Sequence, residues 1–437
     1  MAENYYQEEL LICGGKQLVG EIELSASKNA ALPLLAAVLL TDSPLAIENL
    51  PELRDVHSMC EVLRHYGVAI SPAGSTFTFA ADKLLCSCPP APLMRSFRAG
   101  SLLLGPLLAR CGYAELPLPG GCAIGRRPLD LHFSALQALG AQIEVAEESI
   151  VARADGLSGA QIRLGYPSVG ATENVLLAAV LARGETVLEN AAREPEVVFL
   201  AECLRAMGAE IEGAGESRIR ICGVERLDGG TFRLPPDRIE AGTWACAAAA
   251  CGGELLLRDY AAAENAELWR ILQQMGAEVR QQPRGLTIAA RRRLQAAEVT
   301  TGPYPAFPTD LQAPLMAAAA TAVGLSRIRE TVFENRYHHA AQLQRLGAVI
   351  GVEEELAVVV GMPLKGAVLQ AQDLRGAAAL LIGALAAQGE SRLGGLMHLR
   401  RGYEQPEQKL VRLGADIRRI LPIKDENNYR NRQILML

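Results

Sequence analysis

The sequence predicts an α/β protein of two globular domains, each made of three helix–turn–strand repeats. Three observations carry the prediction. A helix-length stretch that ends in glycine and gives way to alternating residues recurs six times, at Gly67, Gly140, Gly208, Gly276, Gly347 and Gly414. Upstream of each lies a second helix-length stretch that is apolar nearly all round. The chain has 437 residues, half of them hydrophobic, which exceeds one ordinary core at roughly 100 to 200 residues per domain.

The glycines stand 67 to 73 residues apart, and five of the six are followed by alanine. Glycine just past a helix end adopts the left-handed conformation at low steric cost, so each repeat is expected to end helix, turn, strand. The alternation in 142–145 fits a half-buried strand. The helix before each turn is amphipathic: Val56, Met59, Leu63 and Tyr66 share one face, as do Val197, Leu200, Leu204 and Met207. The apolar stretches at 29–40, 99–109, 171–181, 241–251, 311–322 and 376–387 have no polar face, so they are expected at the centre, wrapped by the other elements. A period near 70 exceeds the roughly 20 to 50 residues of solenoid repeats, which favours two three-repeat domains over a rod.

Composition excludes several functions. A net charge of −6 without a basic run argues against a nucleic-acid surface. The acidic start has no basic segment followed by an apolar core, and the longest apolar runs fall short of the roughly 18 residues that span a bilayer. A cytoplasmic protein without a membrane segment is expected. The ten cysteines are dispersed, which suits free thiols, and Cys86 and Cys88 have no second ligand pair at zinc spacing. No metal is expected.

Charges at the starts of the apolar helices point to chemistry. A helix N-terminus favours anions, yet Lys28, Arg98 and Arg375 sit at three of them. Together they suggest an anion held by basic side chains and free N–H groups; taken singly, each also fits a solvated surface residue. Asp310 and Asp373 read alone as helix caps. In 116–132, Pro117, Pro119 and three glycines forbid regular structure and place Cys122 on a loop beside Arg126, Arg127 and a helix opened by Pro128. Positive surroundings stabilise a thiolate, so Cys122 is the candidate reactive thiol.

Several blocks occur together in order: Ser27–Ala31 (SKNAA), Pro119–Gly125 (PGGCAIG), Arg127–His132 (RPLDLH), Ser168–Thr172 (SVGAT), Glu189–Pro195 (ENAAREP), Pro305–Asp310 (PAFPTD), Phe333–Arg336 (FENR) and Arg401–Tyr403 (RGY). In these the chain resembles the UDP-N-acetylglucosamine 1-carboxyvinyltransferase family of enolpyruvyl transferases, from Gly14 to about Ile417. The resemblance implies two inside-out α/β barrels of three βαβαββ units each, with an active site in the interdomain cleft. It also implies a discontinuous domain of residues 1–27 plus 236–437 and a continuous one of 28–235.

The implied reaction moves the enolpyruvyl group of phosphoenolpyruvate to the 3′-hydroxyl of UDP-N-acetylglucosamine by addition and elimination, the first committed step of peptidoglycan synthesis. By the same resemblance Cys122 donates the proton, Asp310 is the carboxylate beside the hydroxyl, and Lys28 and Arg401 complete the catalytic set. Phosphoenolpyruvate is held by Lys28, Asn29, Cys122, Arg127, Arg401 and Arg375. The nucleotide sugar is held by Arg98, Arg127, Pro128, Leu129, Asp130, Leu131, Ser168, Val169, Gly170, Asp310 and Val332. No cofactor is implied, and a monomer is expected, with regulatory protein partners left open. The sequence departs from the family at Arg400, where aspartate is usual, and in a tail beyond Leu421. The rivals are a non-catalytic relative that binds the nucleotide sugar and the sister transferase acting on shikimate 3-phosphate, which lacks the cysteine loop.

Overall fold

The structure is a computed structural model that describes residues 8–85, 87–95, 98–118, 129–422 and 432–435. These residues form two compact units, one holding the segment up to Ser25 together with Pro236 onward, the other running between Ala26 and Pro235. Each unit has its own hydrophobic cluster.

In the first unit, three helices fill the centre: Arg238–Cys251, Gln312–Ala319 and Leu374–Ala386. Alanine and glycine dominate them, which lets their backbones approach closely; a Cβ on Gly242 would stand 2.5 Å from a Leu311 methyl. All eight residues of Gln312–Ala319 are buried, so this helix is surrounded by protein as its lack of a polar face requires. Among the described residues, three sheets cover the helices, and each contains one parallel pairing. The N-terminal strand Glu9–Gly14 lies between Gly389–Gly394 and Asp416–Pro422, antiparallel to both, and Val19–Ile22 adds alongside Glu254–Arg258. This arrangement is pinned by a buried ion pair: Lys409 Nζ lies 2.6 Å from Glu240 Oε1 and donates to Ser25 Oγ at 2.6 Å. The Glu240 carboxylate also accepts from Ser25 N at 2.6 Å and from Trp244 Nε1 at 2.9 Å.

In the second unit, the helices Lys28–Ala37, Leu104–Cys111 and Val169–Ala179 are the buried ones. The sequence predicts a helix from residue 99, but Arg98–Leu103 is a 3-10 turn and the α-helix begins only at Leu104. Asn174 explains the difference. Its side chain accepts from Gly105 N at 2.9 Å and donates to Ser101 O at 2.9 Å, taking two backbone groups that a continuous helix would use itself. A second correction concerns 116–132: Leu116 and Pro117 close the strand Tyr113–Pro117, and Asp130 begins the helix Asp130–Ala138. Proline is tolerated at such a strand end because its missing N–H breaks no interior ladder.

All six repeat glycines take positive φ, from 88° at Gly67 to 106° at Gly208. Each ends an outer helix, and the amphipathic faces expected at Val56 to Tyr66 and Val197 to Met207 are buried. In the tail, Arg432–Leu435 pairs antiparallel with Asp416–Pro422 and adds a fifth strand to that sheet. No helix among the described residues is long and apolar enough to cross a membrane.

Candidate active site

In the first unit, chemistry gathers around Asp310. Read alone it suggested a cap, but its carboxylate points elsewhere: Arg336 Nη2 lies 2.7 Å from Oδ1 and Arg375 Nη2 lies 2.8 Å from Oδ2. Both arginines are buried, while the Asp310 side chain keeps 27% exposure. Two fixed guanidiniums therefore orient a carboxylate that still reaches solvent. Arg375 also donates to Tyr403 Oη at 3.1 Å, and that hydroxyl is 2.8 Å from Thr243 Oγ1. Burial opposes the Arg375 charge, but Asp310, Tyr403 and Asp237 outweigh it and hold the guanidinium above the ordinary arginine range. Asp373 does cap its helix, its Oδ1 accepting from Arg375 N at 3.0 Å and Gly376 N at 2.9 Å.

Val332 is tied to the same region by Glu330, whose carboxylate accepts from Val332 N at 2.8 Å and from Thr309 Oγ1 at 2.9 Å. Arg401 follows the short helix Leu396–Leu399 and stands two residues before Tyr403. Its neighbour Arg400 forms ion pairs with Glu8 at 2.8 Å and Glu407 at 3.6 Å. Arg400 thus joins the N-terminal segment to the helix Pro406–Arg412.

In the second unit, Lys28 opens the Lys28–Ala37 helix behind the Ser27 cap, and its ammonium is 3.4 Å from Asp55 Oδ2. Both side chains are largely buried. Asn29 follows on the same first turn. Ser168 caps Val169–Ala179 in the same way, accepting from Ala171 N at 3.3 Å, so Val169 and Gly170 occupy a helix start. His132, on the helix that Leu129 leads into and that Asp130 and Leu131 open, docks on this start. Its Nδ1 is 2.7 Å from Asn174 Nδ2, and a Cβ on Gly170 would lie 3.0 Å from its ring. Burial pushes the His132 imidazole down to about 4, against the opposing influence of Asp130, so it is neutral near pH 7.

Cys122, Arg127 and Pro128 lie outside the described residues, as does the side chain of Arg98. The remaining candidates fall into two groups: Asp310, Val332, Arg375 and Arg401 in the first unit, and Lys28, Asn29, Leu129 to Leu131 and Ser168 to Gly170 in the second. Sequence reasoning did not single out Arg336, Tyr403, Asp55 or Glu330. Arg336 and Tyr403 were legible as members of the FENR and RGY blocks. Asp55 and Glu330 carried no local signal, since their roles depend on partners distant in sequence.

The comparisons bear on this arrangement. A protein named UDP-N-acetylglucosamine 1-carboxyvinyltransferase from Zymomonas mobilis is 48% identical over 423 residues, covering 94% of this chain and 99% of that protein. One of the same name from Rhodospirillum centenum is also 48% identical, with the same coverage. The chain belongs to the UDP-N-acetylglucosamine 1-carboxyvinyltransferase family. The broader family described as EPSP synthase (3-phosphoshikimate 1-carboxyvinyltransferase) matches residues 12–410. Among solved structures, the enolpyruvyl transferase NikO from Streptomyces tendae is similar with a TM-score of 0.84 at 28% identity, covering 95% of this chain and 99% of that one. EPSP synthase from Acinetobacter baumannii shares the fold, with a TM-score of 0.70 at 20% identity over 94% of this chain and 100% of that one. Membership of the carboxyvinyltransferase family agrees with the resemblance carried by the ordered sequence blocks.

Proposed function

We infer that this protein transfers the enolpyruvyl group of phosphoenolpyruvate to the 3′-hydroxyl of UDP-N-acetylglucosamine and releases phosphate, the first committed step of peptidoglycan synthesis. The observation that carries the reading is 48% identity along nearly the whole chain to proteins named for this activity. The site chemistry supports it. Both substrates are polyanions, and fixed cations bring such partners together and stabilise charge that develops during reaction.

In the proposed reaction, Cys122 protonates the methylene carbon of phosphoenolpyruvate while the sugar hydroxyl attacks C2, and Asp310 accepts the hydroxyl proton. The tetrahedral intermediate then loses a proton from its methyl carbon, returned to the Cys122 thiolate, and phosphate, which leaves with the proton held by Asp310, to give the enolpyruvyl product. Lys28, Arg127, Arg375 and Arg401 hold the phosphate and carboxylate, with Asn29. Arg98, Arg127 to Leu131, Ser168 to Gly170, Asp310 and Val332 hold the nucleotide sugar. The grip of Arg336 and Arg375 on Asp310 supports its part in the scheme, because it aims an accessible carboxylate without depending on substrate. The architecture proposed is a discontinuous domain of 1–27 plus 236–437 and a continuous one of 28–235, each a three-repeat inside-out barrel, in a cytoplasmic monomer without a cofactor.

The test is phosphate release with phosphoenolpyruvate and UDP-N-acetylglucosamine, run beside shikimate 3-phosphate as the rival acceptor. Turnover with the nucleotide sugar alone, lost in Asp310→Asn and strongly reduced in Cys122→Ser, is expected. Release only with shikimate 3-phosphate, or none with either acceptor, would overturn the reading.

A further inference from the structure

We propose that Glu330 is a positioning residue for the nucleotide-sugar acceptor: its buried carboxylate fixes the spacing between the segment that carries Asp310 and the turn that carries Val332. The proposal rests on the reading of Asp310 and Val332 as contacts of UDP-N-acetylglucosamine.

Glu330 follows the strand Leu325–Arg329 and is 2% exposed. Both of its carboxylate oxygens are engaged. Oε1 accepts from Val332 N at 2.8 Å and from Phe333 N at 3.1 Å, which folds the chain into a turn around the carboxylate. Oε2 accepts from Thr309 Oγ1 at 2.9 Å, and Thr309 opens the 3-10 turn Thr309–Leu311 that contains Asp310. One side chain thus joins two segments that lie 21 positions apart in sequence.

The clamp has a firm footing. Glu330 N donates to Glu355 O at 2.8 Å. Thr331 is tied to Thr301 twice, its N–H donating to Oγ1 at 2.9 Å and its hydroxyl to the carbonyl at 2.7 Å. Arg336 Nη2 donates to Thr309 O at 3.3 Å and to Asp310 Oδ1 at 2.7 Å. Arginine therefore aims the Asp310 side, Glu330 shapes the Val332 side, and Thr309 is common to both.

A buried carboxylate is costly unless it is hydrogen-bonded, and here two backbone N–H groups and a hydroxyl satisfy it. What the three bonds deliver is geometry. The Val332 backbone is held before the acceptor arrives, so binding does not have to order it. Arg375, assigned to phosphoenolpyruvate, is held by Asp310 and Tyr403 instead. Loss of the Glu330 carboxylate accordingly weakens the hold on the acceptor ahead of the hold on phosphoenolpyruvate.

The experiment compares wild type, Glu330→Ala and Glu330→Gln by phosphate release with each substrate varied in turn, by calorimetric titration with UDP-N-acetylglucosamine, and by thermal unfolding. Glu330→Ala removes all three acceptor contacts. Its KM and Kd for UDP-N-acetylglucosamine are expected to rise about tenfold or more while KM for phosphoenolpyruvate stays within about threefold, a division between substrates that a merely structural role would not produce. Glu330→Gln keeps Oε1 for Val332 N and Phe333 N and offers Nε2 to Thr309 Oγ1, so its acceptor constants are expected within about threefold of wild type. If the alanine variant does not fold, Thr309→Val, which removes the donor to Oε2, takes its place, with Thr309→Ser as the rescue. The acceptor KM is then expected to rise about threefold or more in the valine variant and to stay within about twofold in the serine one. A folded Glu330→Ala, or in its place Thr309→Val, with acceptor constants within about twofold of wild type overturns the proposal alone. An equal rise for both substrates, or a conservative variant as impaired as the disruptive one, does the same. Wild type that neither binds nor turns over the nucleotide sugar overturns the functional reading and the proposal with it.

Discussion

Replacing Lys409 by methionine tests what holds the N-terminal segment to the C-terminal half of its unit. The Glu240 side chain is 1% exposed and Lys409 15%, so the pair is nearly dry at a separation of 2.6 Å. Methionine keeps the stem volume and removes the cation, leaving Glu240 with only the neutral donors Ser25 N and Trp244 Nε1. Breaking one side of a buried pair costs about 3 to 5 kcal/mol. The loss depends on pH in a fixed direction. Burial already raises the Glu240 carboxyl above 4.5, with Lys409 opposing. A carboxyl raised on folding contributes stability below its unfolded value and loses it as pH rises through the folded one. Without Lys409 the folded value climbs further, so the deficit is larger near about pH 8 than near about pH 5. Denaturant unfolding followed by tryptophan fluorescence reads this directly, because Trp244 bonds Glu240 and Trp269 belongs to the same hydrophobic cluster. The double variant Lys409→Met with Glu240→Gln is expected to recover most of the loss. A single variant within about 1 kcal/mol of wild type, an equal deficit at both pH values, or a double variant no better than the single would refute the reasoning.

Other consequences concern the second unit and the Asp310 cluster. Glu173 is fully buried in Val169–Ala179, and burial, then Glu196 and Glu194, raise its carboxyl well above 4.5. Its contribution is therefore present below about pH 4.5 and lost as pH rises, so Glu173→Gln should flatten the stability profile by up to about 1.4 kcal/mol per pH unit, read by urea unfolding across that range. Tyr403→Phe removes the acceptor that Arg375 Nη1 meets at 3.1 Å, and a loss of about 1 to 3 kcal/mol in unfolding free energy is expected, with reduced kcat in the phosphate assay. Asn174→Ala strips the partners of Gly105 N and Ser101 O, and circular dichroism during chemical unfolding should report about 2 to 3 kcal/mol of destabilisation.

The parts of the fold legible in the sequence are those set by local physics. Gly67 and its five counterparts announce their turns because no other residue enters positive φ so readily, and the alanine-rich central helices announce their burial by lacking a polar face. The 3-10 turn at Arg98–Leu103 was not legible, since Asn174, some 70 positions away, imposes it. The same limit applies to the site. Asp310 was visible as a carboxylate before a helix, but its grip by Arg336 and Arg375 is a tertiary fact, which is why the local reading favoured a cap. Arg400 stood out in sequence, whereas its commitment to Glu8 and Glu407 became visible only when the termini were brought together.

The placement of Glu9–Gly14 between two strands from the far end of the chain has a bearing on how the protein is made. During synthesis the described residues of the second unit, all between Ala26 and Pro235, are translated before Pro236 and all that follows it. The first strand must wait for nearly the last residues to be translated before its partners exist. Until then Leu10, Leu11 and Ile12, buried in the folded unit, lack the strands that cover them.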